Sequence, residues 1–187
     1  MTVKELLLLL LGGILVNNYV FENLLGAETL LGAADKKGKT LGMGIAVAVV
    51  LLLSAAVTWP VQTFVLAPLN ASYLQTLVFA ALILAVAYLT GALSKALLHR
   101  TLGGYFPLIA LCSAVLGCAV NNITAGYTYL QALLASLGVG LGFLGGLVVF
   151  GGVMERIDSF AVPKPFRGLP IRLLAASIVS MALLAFA

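Results

Sequence analysis

Charge is what this sequence has least of. Only 9% of its 187 residues are Asp, Glu, Lys or Arg, against roughly a quarter in an average soluble domain. That shortage excludes a soluble globular enzyme, a disordered chain and a nucleic-acid binder. Histidine occurs once and cysteine twice, so there is no His/Cys metal constellation. There is also no Gly-rich phosphate loop and no nucleophile triad. The two cysteines, Cys112 and Cys118, lie in one apolar stretch. On a single helix they would point about 120° apart and sit roughly 9 Å apart along the axis, too far for a disulfide. They read as small buried apolar residues.

What the chain has in excess is apolar surface: 63% of its residues are hydrophobic. This is the composition of a polytopic membrane protein, and the length suits six helices of roughly 20 residues each. Six apolar segments stand out: 5–33, 41–59 (extending towards 66), 73–93, 102–120, 127–154 and 170–187. The connections are 35–39, 67–72, 94–101, 121–126 and 155–169. Lys4 followed by Leu6 to Leu11 has the look of a signal-peptide core. The apolar run continues well past it, so it is read as the start of a retained membrane segment.

The ten basic residues are strongly partitioned. Lys36, Lys37, Lys39, Lys95, Arg100, Arg156, Lys164, Arg167 and Arg172 fall on one side, and only Lys4 falls on the other. The positive-inside rule then puts loops one, three and five in the cytoplasm and both termini outside, in the inner membrane of the cell. Trp59, Tyr73, Tyr105, Tyr127 and Tyr129 lie near segment ends and read as interfacial anchors. Gly138, Gly140, Gly142, Gly145 and Gly146 allow close helix contact in the fifth segment.

Two segments are interrupted. The first carries Asn17, Asn18, Glu22, Asn23 and Gly26 in its interior. The fourth carries Gly103, Gly104 and Pro107 and ends at Asn121 and Asn122. Proline removes a backbone donor, so both segments are expected to be broken helices. They also resemble each other. Residues 27–34 (AETLLGAA) align with 112–119 (CSAVLGCA) at an offset of 85. A competing register pairs Val16-Asn17-Asn18 with Val120-Asn121-Asn122. The first is preferred because it aligns both interrupted segments and the loops after them. Three helices per half is an odd number, so the halves (1–100 and 101–187) insert upside down relative to each other. The expectation is an all-α integral membrane fold with six transmembrane helices in two inverted three-helix repeats, the first and fourth helices being broken. All of it forms one polytopic domain, with the lipid bilayer as its first partner. Transporters place their midplane sites at such breaks.

A carboxylate inside a membrane segment is costly and usually functional. Glu28 and Glu22 are therefore candidates for an ion or proton pathway, with Asn17 and Asn18 beside Glu22. The bland alternatives are a solvated Glu28 near the cytoplasmic interface and asparagines that satisfy freed backbone. Lys164 and Arg167 read as surface anchors or contacts to a cytoplasmic partner. His99 reads as a solvated loop residue.

Several stretches carry a family resemblance: 15–20 (LVNNYV), Leu25-Gly26, Gly42-Met43-Gly44, 114–117 (AVLG), Glu155-Arg156, and above all 162–168 (VPKPFRG) with Ile171. Across essentially its whole length the chain resembles the RnfA/NqrE side of the Rnf–Nqr membrane subunits. The resemblance implies six helices in two inverted halves and a membrane partner of the RnfE/NqrD type with opposite topology. It implies one member of a translocase-type oxidoreductase complex rather than an enzyme on its own. That complex passes electrons between ferredoxin or NADH and an acceptor and moves Na⁺ or H⁺. The resemblance also implies a shared iron–sulfur (2Fe–2S) centre, held by two cysteines from each member of the pair. Here the sequence departs from the pattern. The first family cysteine falls at Glu28. The second falls at Ser113, where Cys112 replaces the usual preceding Asn. A one-residue shift would bring Cys112 to the site, and Glu28 would then be a carboxylate ligand. The competing expectations are a redox-inactive ion or solute transporter on the same scaffold, working as a homodimer, and a purely structural assembly protein.

Overall fold

The computed structural model describes residues 10, 25, 26, 28, 29, 40–69, 71–98, 109, 112–158 and 162–184. Among these the protein is all helix, with no strand. Helix α1 spans Thr40–Val61 and runs on into a π-helical turn, Gln62–Leu66. A short 3₁₀ turn, Ser72–Leu74, leads into α2, Gln75–Leu98. Helix α3 is Ser113–Thr124, α4 is Tyr129–Asp158 and α5 is Leu169–Leu184.

Three stretches are long and apolar enough to cross a membrane: Gly42–Leu66, Ser72–Ala92 and Tyr129–Ile157. The shortest, at 21 residues, runs about 32 Å, which matches a ~30 Å hydrocarbon core. Leu169–Ala182 is a shorter apolar helix. The outward faces agree with a lipid environment. Ile45, Val49, Leu53 and Val57 are exposed on α1 at four-residue spacing. Ile178 and Met181 on α5 and Leu77, Leu84 and Leu89 on α2 are exposed as well. Water would penalise such faces and lipid does not.

Helices α1 and α4 form the centre and pack along each other over their length; α1 also touches α2 and α3, and α4 carries α5. The pair is antiparallel. Trp59 meets Tyr129, Ala48 meets Gly140, and Gly44 meets Leu144, so one partner number falls as the other rises. Met43, Val47, Leu51, Phe79, Ile83, Val115, Phe143, Leu147 and Phe150 fill the core between the helices.

Helix ends depart from the apolar segments read in the sequence. Helix α2 continues through Ser94 and Lys95 to Leu98, and α4 continues through Glu155 and Arg156 to Asp158. Helix α3 passes through Asn121 and Asn122 and stops at Thr124. Its stop is a glycine cap. Gly126 takes φ 65°, and the N–H groups of Gly126 and Tyr127 donate to the carbonyls of Ile123 and Asn122. Helix α4 then starts on half a capping box, in which the Thr128 N–H donates to Gln131 Oε1 at 2.7 Å. Polar residues thus continue these helices past the edge of the apolar run, because capping geometry and not hydropathy ends a helix.

Proline has two outcomes. Pro60 lies inside α1, just before the π-helical turn, and does not end the helix. Pro107 lies outside the described residues. The interruption that is described in that segment falls at Cys112, whose extended backbone (φ −66°, ψ 114°) precedes α3. Cys112 and Cys118 therefore do not share one continuous helix. Both are free thiols and both are buried.

Candidate functional site

Two breaks in the chain meet, and they form the site. The first is at Gly26, where φ is 85°, a left-handed conformation that suits glycine. A Cβ there would also lie 2.5 Å from the Phe143 ring. The Thr29 N–H donates back to the Gly26 carbonyl, and Glu28 and Thr29 are helical. The second break is at Cys112, one residue before α3.

The N-terminus of α3 faces residues 26–29. The first N–H of the helix, that of Ser113, donates to Glu28 Oε1 at 2.6 Å. The Ser113 hydroxyl lies 3.0 Å from Oε1 and 3.3 Å from Oε2 of the same carboxylate. The Gly26 N–H donates to Ser113 Oγ at 2.8 Å. Beside this, the Thr29 hydroxyl donates to Cys112 Sγ at 3.3 Å. Helix N-termini hold unpaired N–H groups and the positive end of the helix dipole, so a carboxylate is well placed there. Glu28 is half-buried, and both of its carboxylate oxygens lie within hydrogen-bond distance of Ser113.

Glu28 and Ser113 are the two residues that the 85-residue offset pairs. Sequence reasoning found them and Cys112 and missed Thr29. The available signal was a hydroxyl residue directly after the carboxylate, in a run that opens on glycine. Asn17, Asn18 and Glu22 lie outside the described residues. Asn121 is exposed. Asn122 is buried and donates to Ser136 Oγ at 2.9 Å and to the Ala132 carbonyl at 3.4 Å. It links α3 to α4 and serves packing, as does Cys118, whose sulfur lies 3.4 Å from Ser136 Oγ.

The loop 162–168, which carries the most specific sequence signature, closes on itself. Arg167 Nε donates to the Val162 carbonyl at 2.9 Å, and the Phe166 N–H donates to the Pro163 carbonyl. Phe166 and Arg167 are exposed. At the other end of α4, Trp59 Nε1 donates to the Tyr127 carbonyl and the Trp59 ring meets Tyr129 edge-on at 5.4 Å. Tyr73 is exposed, as an interfacial anchor would be. Tyr105 and His99 lie outside the described residues.

The donor set at the two breaks does not fit a thiolate-held iron–sulfur centre. Among the described residues no group of three or more His, Cys, Asp or Glu gathers. Glu28 and Ser113, at the two family cysteine positions, are hydrogen-bonded to each other. Cys112 is buried to 2% exposure and its sulfur accepts the Thr29 hydroxyl.

Comparison with known proteins gives a whole-chain match. The family model described as Rnf-Nqr subunit, membrane protein, matches residues 6–187. The chain is 40% identical to a protein of Syntrophotalea carbinolica named as the A component of an ion-translocating oxidoreductase complex, over 98% of this chain and 97% of that one. It is 38% identical to a protein of Acetobacterium woodii named as the A component of a Na⁺-translocating ferredoxin:NAD⁺ oxidoreductase complex, over 97% of this chain and 96% of that one. It is also 38% identical to the ion-translocating oxidoreductase A component of Serratia proteamaculans, again over 97% of this chain and 96% of that one. A family model that spans nearly the whole chain, with relatives of matching length, leaves one assignment: the chain belongs to the Rnf–Nqr family of membrane subunits.

Proposed function

We propose that this chain is a membrane subunit of an ion-translocating electron-transport complex of the Rnf/Nqr type, in which electron transfer is coupled to movement of Na⁺ or H⁺. The observation that carries the reading is the end-to-end likeness to relatives named as the A component of such complexes. The apolar outward faces of α1, α2 and α5 support a multi-pass place in the bilayer.

In this reading the chain has six spans in two inverted repeats, 1–100 and 101–187, forming one membrane domain. It lies in the inner membrane with both termini outside and loops one, three and five in the cytoplasm. Its partners are an RnfE/NqrD-like protein of opposite topology and the other members of the complex. The contact between residues 28 and 113, which the repeat register pairs, supports the two-halves arrangement. The ion pathway includes Glu22, Glu28, Asn17 and Asn18. Any 2Fe–2S centre shared with the partner is not held by Glu28 and Ser113. Cys112, the remaining candidate ligand, is buried and accepts the Thr29 hydroxyl, so it does not supply one either.

The Glu28–Ser113 contact favours a second reading, a redox-inactive ion transporter on the same scaffold. Purification of the tagged protein from its own host in mild detergent separates the two. Flavin and iron–sulfur proteins identified by mass spectrometry alongside it support the complex. A chain that purifies alone or as a homo-oligomer removes the electron-transport role.

A further inference from the structure

We infer that in this chain a carboxylate–serine clasp stands where the family resemblance places two iron ligands, and that the clasp joins the two breaks of the chain without metal. The inference takes the expected ligand positions from the Rnf–Nqr reading; the clasp itself is read from contacts within this chain. Its bonds form a closed set. The Gly26 N–H donates to Ser113 Oγ, the Ser113 hydroxyl donates to the Glu28 carboxylate, and the Ser113 N–H donates to the same carboxylate. The Thr29 hydroxyl on Cys112 Sγ adds a fourth bond beside it.

The clasp and a metal centre exclude each other. To bind iron, Glu28 would have to leave the N-terminus of α3. That would strip the first helix N–H of its acceptor. The positive end of the α3 dipole favours an anion. The anion that belongs there is already supplied, by Glu28 of the same chain. The Ser113 hydroxyl is likewise engaged, as acceptor from Gly26 and donor to Glu28. Cys112 turns its sulfur to Thr29 and is buried within its own chain.

The test uses the full chain, with whatever purifies alongside it, and two readouts. The first is iron per copy, with the visible and electron-paramagnetic signals of a 2Fe–2S centre, in the wild type and in Cys112→Ser. The second is the rate of N-ethylmaleimide modification of Cys112 and of Cys118, resolved by peptide mass spectrometry. It is read in the wild type, Glu28→Gln, Glu28→Ala and Ser113→Ala. The expected result is the same iron content in the wild type and Cys112→Ser. Cys112 modification should rise about ten-fold in Ser113→Ala and about a hundred-fold in Glu28→Ala, the scale set by losing one or several bonds to a charged acceptor. Glu28→Gln keeps an acceptor oxygen and falls between the wild type and Glu28→Ala. Ser113→Ala leaves the carboxylate charge beside the thiol, so a rise there reports opening and not a charge effect. Cys118 should stay slow throughout.

Three results overturn the inference: loss of about two iron atoms per copy with the 2Fe–2S signal in Cys112→Ser, a Cys112 rate in Ser113→Ala equal to the wild type, or Cys112 and Cys118 rates that rise in parallel. If the chain purifies without redox partners, the electron-transport role fails, and the two thiol rates still decide the clasp.

Discussion

At Gly26 two demands fall on one residue. The backbone needs a φ of 85°, and the Phe143 ring closes the space where a side chain would start. Alanine would meet both penalties, left-handed backbone strain and overpacking. Gly26→Ala should therefore lose about 2–4 kcal/mol of stability. Thermal unfolding of the detergent-solubilised variant measures this, and a midpoint equal to the wild type would mean that the turn is not built this way. Trp59 makes a narrower contribution. Its indole N–H donates to the Tyr127 carbonyl while its ring packs on Tyr129. Phenylalanine keeps the ring and removes the donor, so Trp59→Phe should cost about 0.5–1.5 kcal/mol by the same assay. Trp59→Ala should cost more, because the ring contact goes as well.

Helices α1 and α4 pack closely because Gly140 has no side chain. A Cβ at Gly140 would lie 3.1 Å from the Ala48 backbone, whereas a Cβ at Gly145 meets nothing within 4 Å. Gly140→Leu should push the central pair apart and reduce the folded yield recovered by size-exclusion chromatography in detergent. Gly145→Ala should leave that yield at the wild-type level. Equal behaviour of the two variants would refute the close approach. The glycine-rich stretch was plain in the sequence, but which glycine touches a neighbour was not, since that depends on the register of two distant helices. The same distinction runs through the other elements. Helices α1 and α2 were legible because long apolar runs have few alternatives in lipid. The ends at Thr124 and Asp158 were not, because caps and polar last turns carry no hydropathy signal. At the site, the sequence singled out residues 28 and 113 by their offset, but that they touch depends on the packing of two distant segments and was not legible. The Thr29–Cys112 bond was hidden, because it depends on the extended backbone at Cys112.

For the molecule as a whole, the antiparallel register of α1 and α4 makes the proposed orientation testable. The start of α1 and the end of α4 lie at one end, next in sequence to Lys39 and carrying Arg156. The opposite end holds Trp59, Tyr127 and Tyr129 and the turn at Ala125 and Gly126. In the proposed orientation the basic end is the cytoplasmic one, as the positive-inside rule expects, and the end with the aromatic anchors lies outside. Two exposed positions test this, Glu155 in the last turn of α4 and Ala125 in the α3–α4 turn. Both native cysteines are buried, so an added thiol should be read against a quiet background. With a membrane-impermeant maleimide, Ala125→Cys should be labelled in intact spheroplasts. Glu155→Cys should be labelled only in inverted vesicles. The reverse pattern would turn the protein over and place the basic loops outside. Labelling of both positions from the same face would break the antiparallel pairing of α1 and α4 as a membrane-spanning unit. The same assay reports on the clasp, because Ala125 and Ser113 belong to one helix and its turn. If Glu28→Ala lets that helix move, the labelling rate at Ala125→Cys should change with it, while the rate at Glu155→Cys should not.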